Sequence, residues 1–217
     1  MASRRKSTAA AAPTRASAFD GARILVGVTG GIAAYKTATL VSRLAQAGAQ
    51  VTVAMTEAAT HFVTPLTFQA LSARPVYTSA WQHAEAHDPQ HIALASRADA
   101  AIVAPCSMDC LARLATGRAD DVVTLILSAI DRRKTPVLLG PSMNAVMWGQ
   151  PATRRNVRTL LDDGYRLVGP DEGWQACRTT GPGRMAEPEE LLAAIARALS
   201  TVAEKPQRNS ASRPPGC

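Results

Sequence analysis

Five short apolar runs, separated by stretches of helical periodicity, constrain this chain more than any other feature. The runs are residues 23–29 (RILVGVT), 50–55 (QVTVAM), 99–104 (DAAIVA), 136–140 (PVLLG) and 166–169 (RLVG). They are apolar almost throughout, as strands buried on both faces are. Helical periodicity fills 33–47, 107–116, 121–132, 152–163 and 188–203. Gly48 and Gly164 supply C-terminal stops, and Pro188 suits a first helical turn. This alternation predicts an α/β domain, a three-layer doubly wound parallel sheet with helices on both faces. The 217 residues suit one such domain, placed at 21–203. Residues 1–20 and 204–217 lack apolar periodicity and read as disordered tails, the first basic and the second polar and Pro-rich.

The formal charge of +7 invites a nucleic-acid reading, so its location matters. Arg4, Arg5, Lys6 and Arg15 stand against Asp20 in the first tail; Lys205, Arg208 and Arg213 stand against Glu204 at the other end. The domain body keeps only +2 of the total, too little for a basic face, so no nucleic-acid partner is expected. No apolar run reaches the roughly 18 residues that span a bilayer, and the Ala/Ser-rich N-terminus lacks the apolar core of a secretory signal. The four cysteines (Cys106, Cys110, Cys177 and Cys217) form no paired framework. That fits a reducing compartment, and a cytoplasmic protein is expected.

In a sheet of this kind ligands bind beyond the carboxyl ends of the strands. Those ends read VTGG, MT, APCSMD, GPSMN and the 170–187 loop, all small, polar or rich in Gly and Pro. They predict one composite site. Thr29, Gly30, Gly31 and Ile32 sit where backbone N–H groups at a helix start could hold a phosphate; a tight turn that merely needs two glycines is the simpler reading. Tyr35 stands where a P-loop requires its second glycine, and no acid directly closes the second strand as a dinucleotide site requires. A mononucleotide phosphate fits better. Thr56 can donate a hydroxyl to the same ligand, and Ser107, Met108, Asp109 and Cys110 open a helix with more N–H donors.

Three residues have chemistry beyond their structural readings. His91 is the residue type whose unperturbed pKa suits a base at neutral pH, although a lone histidine is commonly structural. Asn144 either caps the next helix or grips a substrate, since its amide both donates and accepts. Cys177, in a Gly-rich loop that reads as a lid, is either an inert buried thiol or a proton donor. Phe68 is either a core aromatic or a surface for a flat ring. No metal site is expected. Asp88-Pro89 breaks the helix that would align His83, His87 and His91, and Cys106 with Cys110 lacks further ligands.

Read together, TGGIAAYK (29–36), HFVTPLTFQALS (61–72), HIALASRAD (91–99), PSMNAVMW (141–148) and QACRTTGPGRM (175–185) resemble the homo-oligomeric flavin-dependent cysteine decarboxylases over about residues 23–200. The P-x-M-N-x-x-M-W motif is met by Pro141, Met143, Asn144, Met147 and Trp148. The C-x-x-x-G-x-G-R-M segment is met by Cys177, Gly181, Gly183, Arg184 and Met185. The resemblance implies a flavodoxin-like (Rossmann-like) fold, FMN bound between subunits, and a trimer or an assembly of trimers. It implies decarboxylation of 4'-phospho-N-pantothenoylcysteine to 4'-phosphopantetheine, on the way to coenzyme A, through a thioaldehyde. In that scheme FMN oxidises the thiol, CO2 leaves, and the reduced flavin returns the hydride. By resemblance His91 and Cys177 are catalytic, the first during thiol oxidation and the second as the acid. Asn144 and Met147 bind substrate. Thr29, Gly30, Gly31, Ile32, Thr56, Phe68 and the 107–110 segment hold FMN. A separate phosphopantothenoylcysteine synthetase is the implied partner.

One segment departs from the pattern. The family usually reads P-A-[ST]-A-N-T where this chain has Pro105-Cys106-Ser107-Met108-Asp109-Cys110. Asp109 places an acceptor-only carboxylate where an amide is usual, and Arg113, four residues on, is its expected partner. Two alternatives accompany the main reading: a decarboxylase of peptidyl cysteine, and a non-catalytic regulatory flavoprotein.

Overall fold

The computed structural model describes residues 18–81 and 90–203. His83, His87, Cys217 and most of both expected tails lie outside these residues. The strands are β1 (Arg23–Val28), β2 (Gln50–Met55), β3 (Val76–Tyr77), β4 (Ala100–Cys106), β5 (Val137–Pro141), β6 (Arg166–Leu167), β7 (Asp171–Trp174) and β8 (Thr180–Arg184). The helices are α1 (Ala34–Gln46), α2 (Glu57–Thr60), α3 (Pro65–Ser72), α4 (Gln90–Arg97), α5 (Met108–Thr116), α6 (Val122–Ser128), α7 (Ala145–Gly149), α8 (Pro151–Asp162) and α9 (Pro188–Ala203).

Six strands form one parallel sheet in the order β3-β2-β1-β4-β5-β6, and β7 pairs with β8 in an antiparallel ribbon. The period-2 alternation of the strands divides the core into the two expected faces. Ile24, Val26, Val28, Ile102, Ala104 and Leu138 pack with residues of α1, α3 and α9. Leu25, Ala101, Val103, Val137 and Leu139 pack with residues of α4, α5, α6 and α8. This is the three-layer doubly wound, flavodoxin-like architecture. Gly27 belongs to that packing, because a Cβ there would lie 2.8 Å from Val123 Cγ1 and push α6 off β1.

The five apolar runs all become strands, with bounds that agree to within two residues. The helix expected over 121–132 stops at Ser128, because the chain turns at Asp131, whose carboxylate binds the Arg133 backbone and guanidinium. The segment 170–187, read as an irregular loop, is instead the β7–β8 ribbon. Its strands pair through glycine and proline, Glu172 with Pro182 and Gly173 with Gly181, residue types that carry little strand signal. Among the described residues no helix is long and apolar enough to cross a membrane.

Candidate active site

The strand order reverses direction between β1 and β4, and the loops leaving these two strands flank the crevice that such a switch point creates. Thr29 ties the loops together. Its hydroxyl donates to the Pro105 carbonyl at 2.7 Å and accepts from the Ser107 N–H at 2.9 Å. Thr29 is 1% exposed, so it fixes the crevice from behind and offers a ligand no side-chain atom of its own. This corrects its expected role as a direct contact.

The two glycines of the first loop answer different needs. A Cβ on Gly30 would lie 2.7 Å from Ala58 Cβ, so this glycine admits α2. A Cβ on Gly31 would meet only Pro105 Cγ at 3.9 Å, so no protein neighbour requires glycine there, and the space it leaves opens into the crevice. Among the described residues the N–H groups of Gly30, Gly31 and Ile32 have no carbonyl partner. Ser107 caps α5 by accepting from the Cys110 N–H at 3.2 Å, leaving its hydroxyl proton and the first α5 N–H groups at the crevice mouth. Unpaired N–H donors around a cradle without a Cβ fit an anionic phosphate, and the apolar volume beside them fits a flat ring system.

That volume is a cleft of about 640 Å³. Gly30, Gly31, Ile32, Ser107, Met108, Asn144, Met147 and Cys177 line it together, so eight of the expected site residues share one wall system. Asn144 reaches the cleft from the end of β5 as the N-cap of α7. Its Oδ1 accepts from the Met147 N–H at 2.8 Å, which leaves the Nδ2 amide protons for a ligand. The capping and binding readings are therefore compatible. Cys177 enters from the turn of the β7–β8 ribbon. Its Sγ lies 3.0 Å from Thr179 Oγ1 and 3.6 Å from Gln175 Oε1.

Gln175 was not singled out in the sequence, yet it organises this corner. It is 8% exposed. Its Oε1 accepts from the Ala145 N–H at 3.1 Å, and its Nε2 donates to the carbonyls of Pro182 at 2.9 Å and Gly181 at 3.3 Å. One amide thus joins the helix that follows Asn144 to the ribbon that carries Cys177. Lys36 is a second such residue; a lysine in a helix reads as solvated, but here it is 8% exposed and lines the cleft. Its Nζ donates to Glu187 Oε1 at 2.8 Å, and Arg184 hydrogen-bonds the same oxygen. The Lys36 hydrogen bond is the main cause that holds the Glu187 carboxyl below its ordinary range.

The remaining expected residues lie elsewhere. Phe68 is fully enclosed in the core and has no face open to a ligand, so its core reading holds and its ring-contact reading is corrected. Cys110 is 2% exposed; the hydrogen bond with Cys106, aided by burial, raises its thiol pKa well above the ordinary range. It faces the core and not the cleft. Asp109 points outward and pairs with Arg113 at 2.7 Å, as its spacing predicts. Arg113 also binds Asp120 and Asp121, the α6 N-cap, so the unusual acid is neutralised away from the cleft. Thr56 caps α2 and is not among the cleft residues. His91 sits in the first turn of α4 beside a recess with Leu94, Val122 and Ile126, and that recess shares no lining residue with the cleft.

The Flavoprotein family profile matches residues 14–200. The coenzyme A biosynthesis bifunctional protein CoaBC of Vibrio cholerae is 47% identical over 173 residues, covering 80% of this chain and 43% of that protein. Its counterpart in Bacillus subtilis is 46% identical over 169 residues, covering 78% and 41%. The chain thus spans less than half the length of these curated relatives. Among solved structures, a cysteine-to-serine mutant of PPC decarboxylase complexed with pantothenoylaminoethenethiol superposes with a TM-score of 0.73 at 29% identity, over 81% of this chain and 96% of that one. The FMN-dependent cysteine decarboxylase SpaF gives the same TM-score and identity over 85% and 99%.

Proposed function

The chain belongs to the Flavoprotein family, and we propose that it uses FMN to decarboxylate 4'-phospho-N-pantothenoylcysteine to 4'-phosphopantetheine. The observation that carries this reading is the convergence of Asn144, Cys177 and the Gly30–Ile32 cradle on one cleft. The N–H groups of Gly30, Gly31 and Ile32 and the start of α5 at Ser107 and Met108 would hold the FMN phosphate and ribityl end. When bound, FMN accepts two electrons from the substrate thiol carbon and later returns them.

The chain's own residues orient and protonate. The Asn144 Nδ2 donates to the cysteinyl carboxylate, holding the bond that breaks, while Oδ1 stays committed to Met147 N–H. Met147 closes the apolar side of the pocket and keeps water from the carboxylate. The Cys177 thiol delivers a proton to the substrate carbon after CO2 has left, and Gln175 with Thr179 aims it. His91 removes the thiol proton during oxidation. Its distance from the cleft supports a homo-oligomer, with a trimer as the simplest closed form, in which one subunit's His91 faces its neighbour's cleft. Ile32, Tyr35, Val146 and Trp174 are all more than half exposed around the cleft region, an apolar rim suited to such a contact. We place the protein in the cytoplasm, with a phosphopantothenoylcysteine synthetase as the source of its substrate.

The test is incubation of the FMN-bound protein with phosphopantothenoylcysteine and, separately, with a peptide ending in cysteine. The expected result is CO2 and 4'-phosphopantetheine from the first. Release only from the peptide would assign the site to peptidyl cysteine. Release from neither, with FMN bound, would overturn the enzymatic reading.

A further inference from the structure

At the opposite end of the sheet from the cleft, a recess of about 220 Å³ opens beneath the first residues of β1 and β2. Three arginines line it, Arg23 at the start of β1, Arg74 before β3 and Arg97 in the last turn of α4. Two of them are partly engaged. Arg23 forms a bidentate pair with Asp99, at 2.6 and 3.0 Å, and Arg74 donates to Gln50 Oε1 at 2.9 Å. Arg97 has no ion-pair or hydrogen-bond partner among the described residues. Among the described residues, Asp99 is the acid that offsets these cations, and it is held by Arg23.

Tyr77 and Thr52 also line the recess, and their hydroxyls have no protein partner among the described residues. One wall is apolar, formed by Leu94 and the Tyr77 ring. Surplus positive charge, unused hydroxyl donors and an adjacent apolar wall together define a ligand class. The carbonyls at the end of α4 oppose an anion with about half a charge, which three guanidiniums against one carboxylate outweigh. We infer that this recess is a second binding site, for a phosphomonoester carried on a compact apolar or aromatic group. The phosphate is held by Arg97 with the free N–H groups of Arg74 and Arg23, and the organic group lies on Tyr77 and Leu94. The site lies on the far side of the sheet from the decarboxylation cleft, shares no lining residue with it, and does not depend on the reading of that cleft.

The test titrates the full chain with phenyl phosphate and with inorganic phosphate by calorimetry at low ionic strength in a phosphate-free buffer. It is run as purified and again with excess FMN, so that the strand-end cleft is filled. With excess FMN the expected result is one saturable site per chain, with phenyl phosphate tighter than inorganic phosphate by several-fold. Arg97→Ala weakens phenyl phosphate at least tenfold and Arg97→Glu abolishes its binding, while FMN content and Tm stay at wild-type values. Arg74→Ala weakens it by a smaller factor. Absence of saturable binding, or binding that survives Arg97→Glu, would overturn the site. Equal affinity for the two probes would overturn the role given to the apolar wall.

Discussion

Asn144 caps α7 and, in the proposed function, binds substrate with the same amide, and the two roles can be separated. The Oδ1 holds the start of α7, which leaves the Nδ2 for the proposed contact with the substrate carboxylate. Asn144→Asp keeps the cap, since aspartate is among the best N-cap residues, but replaces the donor with a charge that repels a carboxylate. The melting temperature therefore stays near wild type while kcat/KM for decarboxylation falls by roughly 100-fold, about 2.7 kcal/mol. A parallel loss of stability would mean that the cap is the residue's only work. The Lys36–Glu187 contact gives a pH signature at the same scale. The folded pKa of Glu187 lies below its ordinary 4.5, mainly through the Lys36 hydrogen bond. Its ion pair therefore contributes fully above that value and is lost as pH falls through the lowered folded value. Thermal melts taken from about pH 6 down to pH 3 follow this loss. Glu187→Gln starts less stable at neutral pH and shows a flatter acid limb; an unchanged limb would remove Glu187 from the account.

Among the elements, the β7–β8 ribbon carries Cys177, the proposed proton donor, and depends on one backbone position. Gly183 has φ +122, and a Cβ there would lie 2.3 Å from the Met143 carbonyl oxygen. The Gly183 carbonyl in turn accepts from the Met143 N–H at 2.9 Å, joining the ribbon to the Asn144 loop. Gly183→Ala combines a positive φ with a backbone collision and displaces the ribbon. Cys177 then leaves its place in the cleft it shares with Asn144, and product formation falls by more than tenfold, although the far-UV spectrum of the six-stranded sheet is retained. Wild-type turnover in Gly183→Ala would show that the ribbon tolerates the shift. The ribbon also marks where sequence reading stops. The five aliphatic runs and the helices closed by Gly48 and Gly164 are legible because burial on both faces and C-terminal glycines leave local marks. Two residues of β3, or glycine and proline paired across β7 and β8, leave none, since backbone pairing with a distant segment forms them. The same limit applies to Gln175, whose three backbone contacts exist only after the ribbon has folded onto α7.

At the scale of the whole molecule, Asn144, Cys177 and the glycine loop, grouped by the sequence, line one cleft, but the sequence cannot state that His91 lies apart from it. Motifs record which residues take part in a site and not which subunit supplies them. Here His91 belongs to the α4–α6 surface and Cys177 to the ribbon, and among the described residues none lines both pockets. If the neighbour's His91 completes each cleft, the defects are separable. His91→Asn leaves a subunit with a working Cys177, and Cys177→Ser leaves one with a working His91. Each variant alone lacks one group in every site and is inactive in product formation. Co-refolded in equal amounts, the two form mixed rings in which about a quarter of the interfaces pair a wild-type His91 with a wild-type Cys177. Turnover then recovers to about that fraction of wild type, measured as 4'-phosphopantetheine formed per bound flavin. A site made within one chain would regain nothing on mixing, because no subunit in the mixture carries both groups.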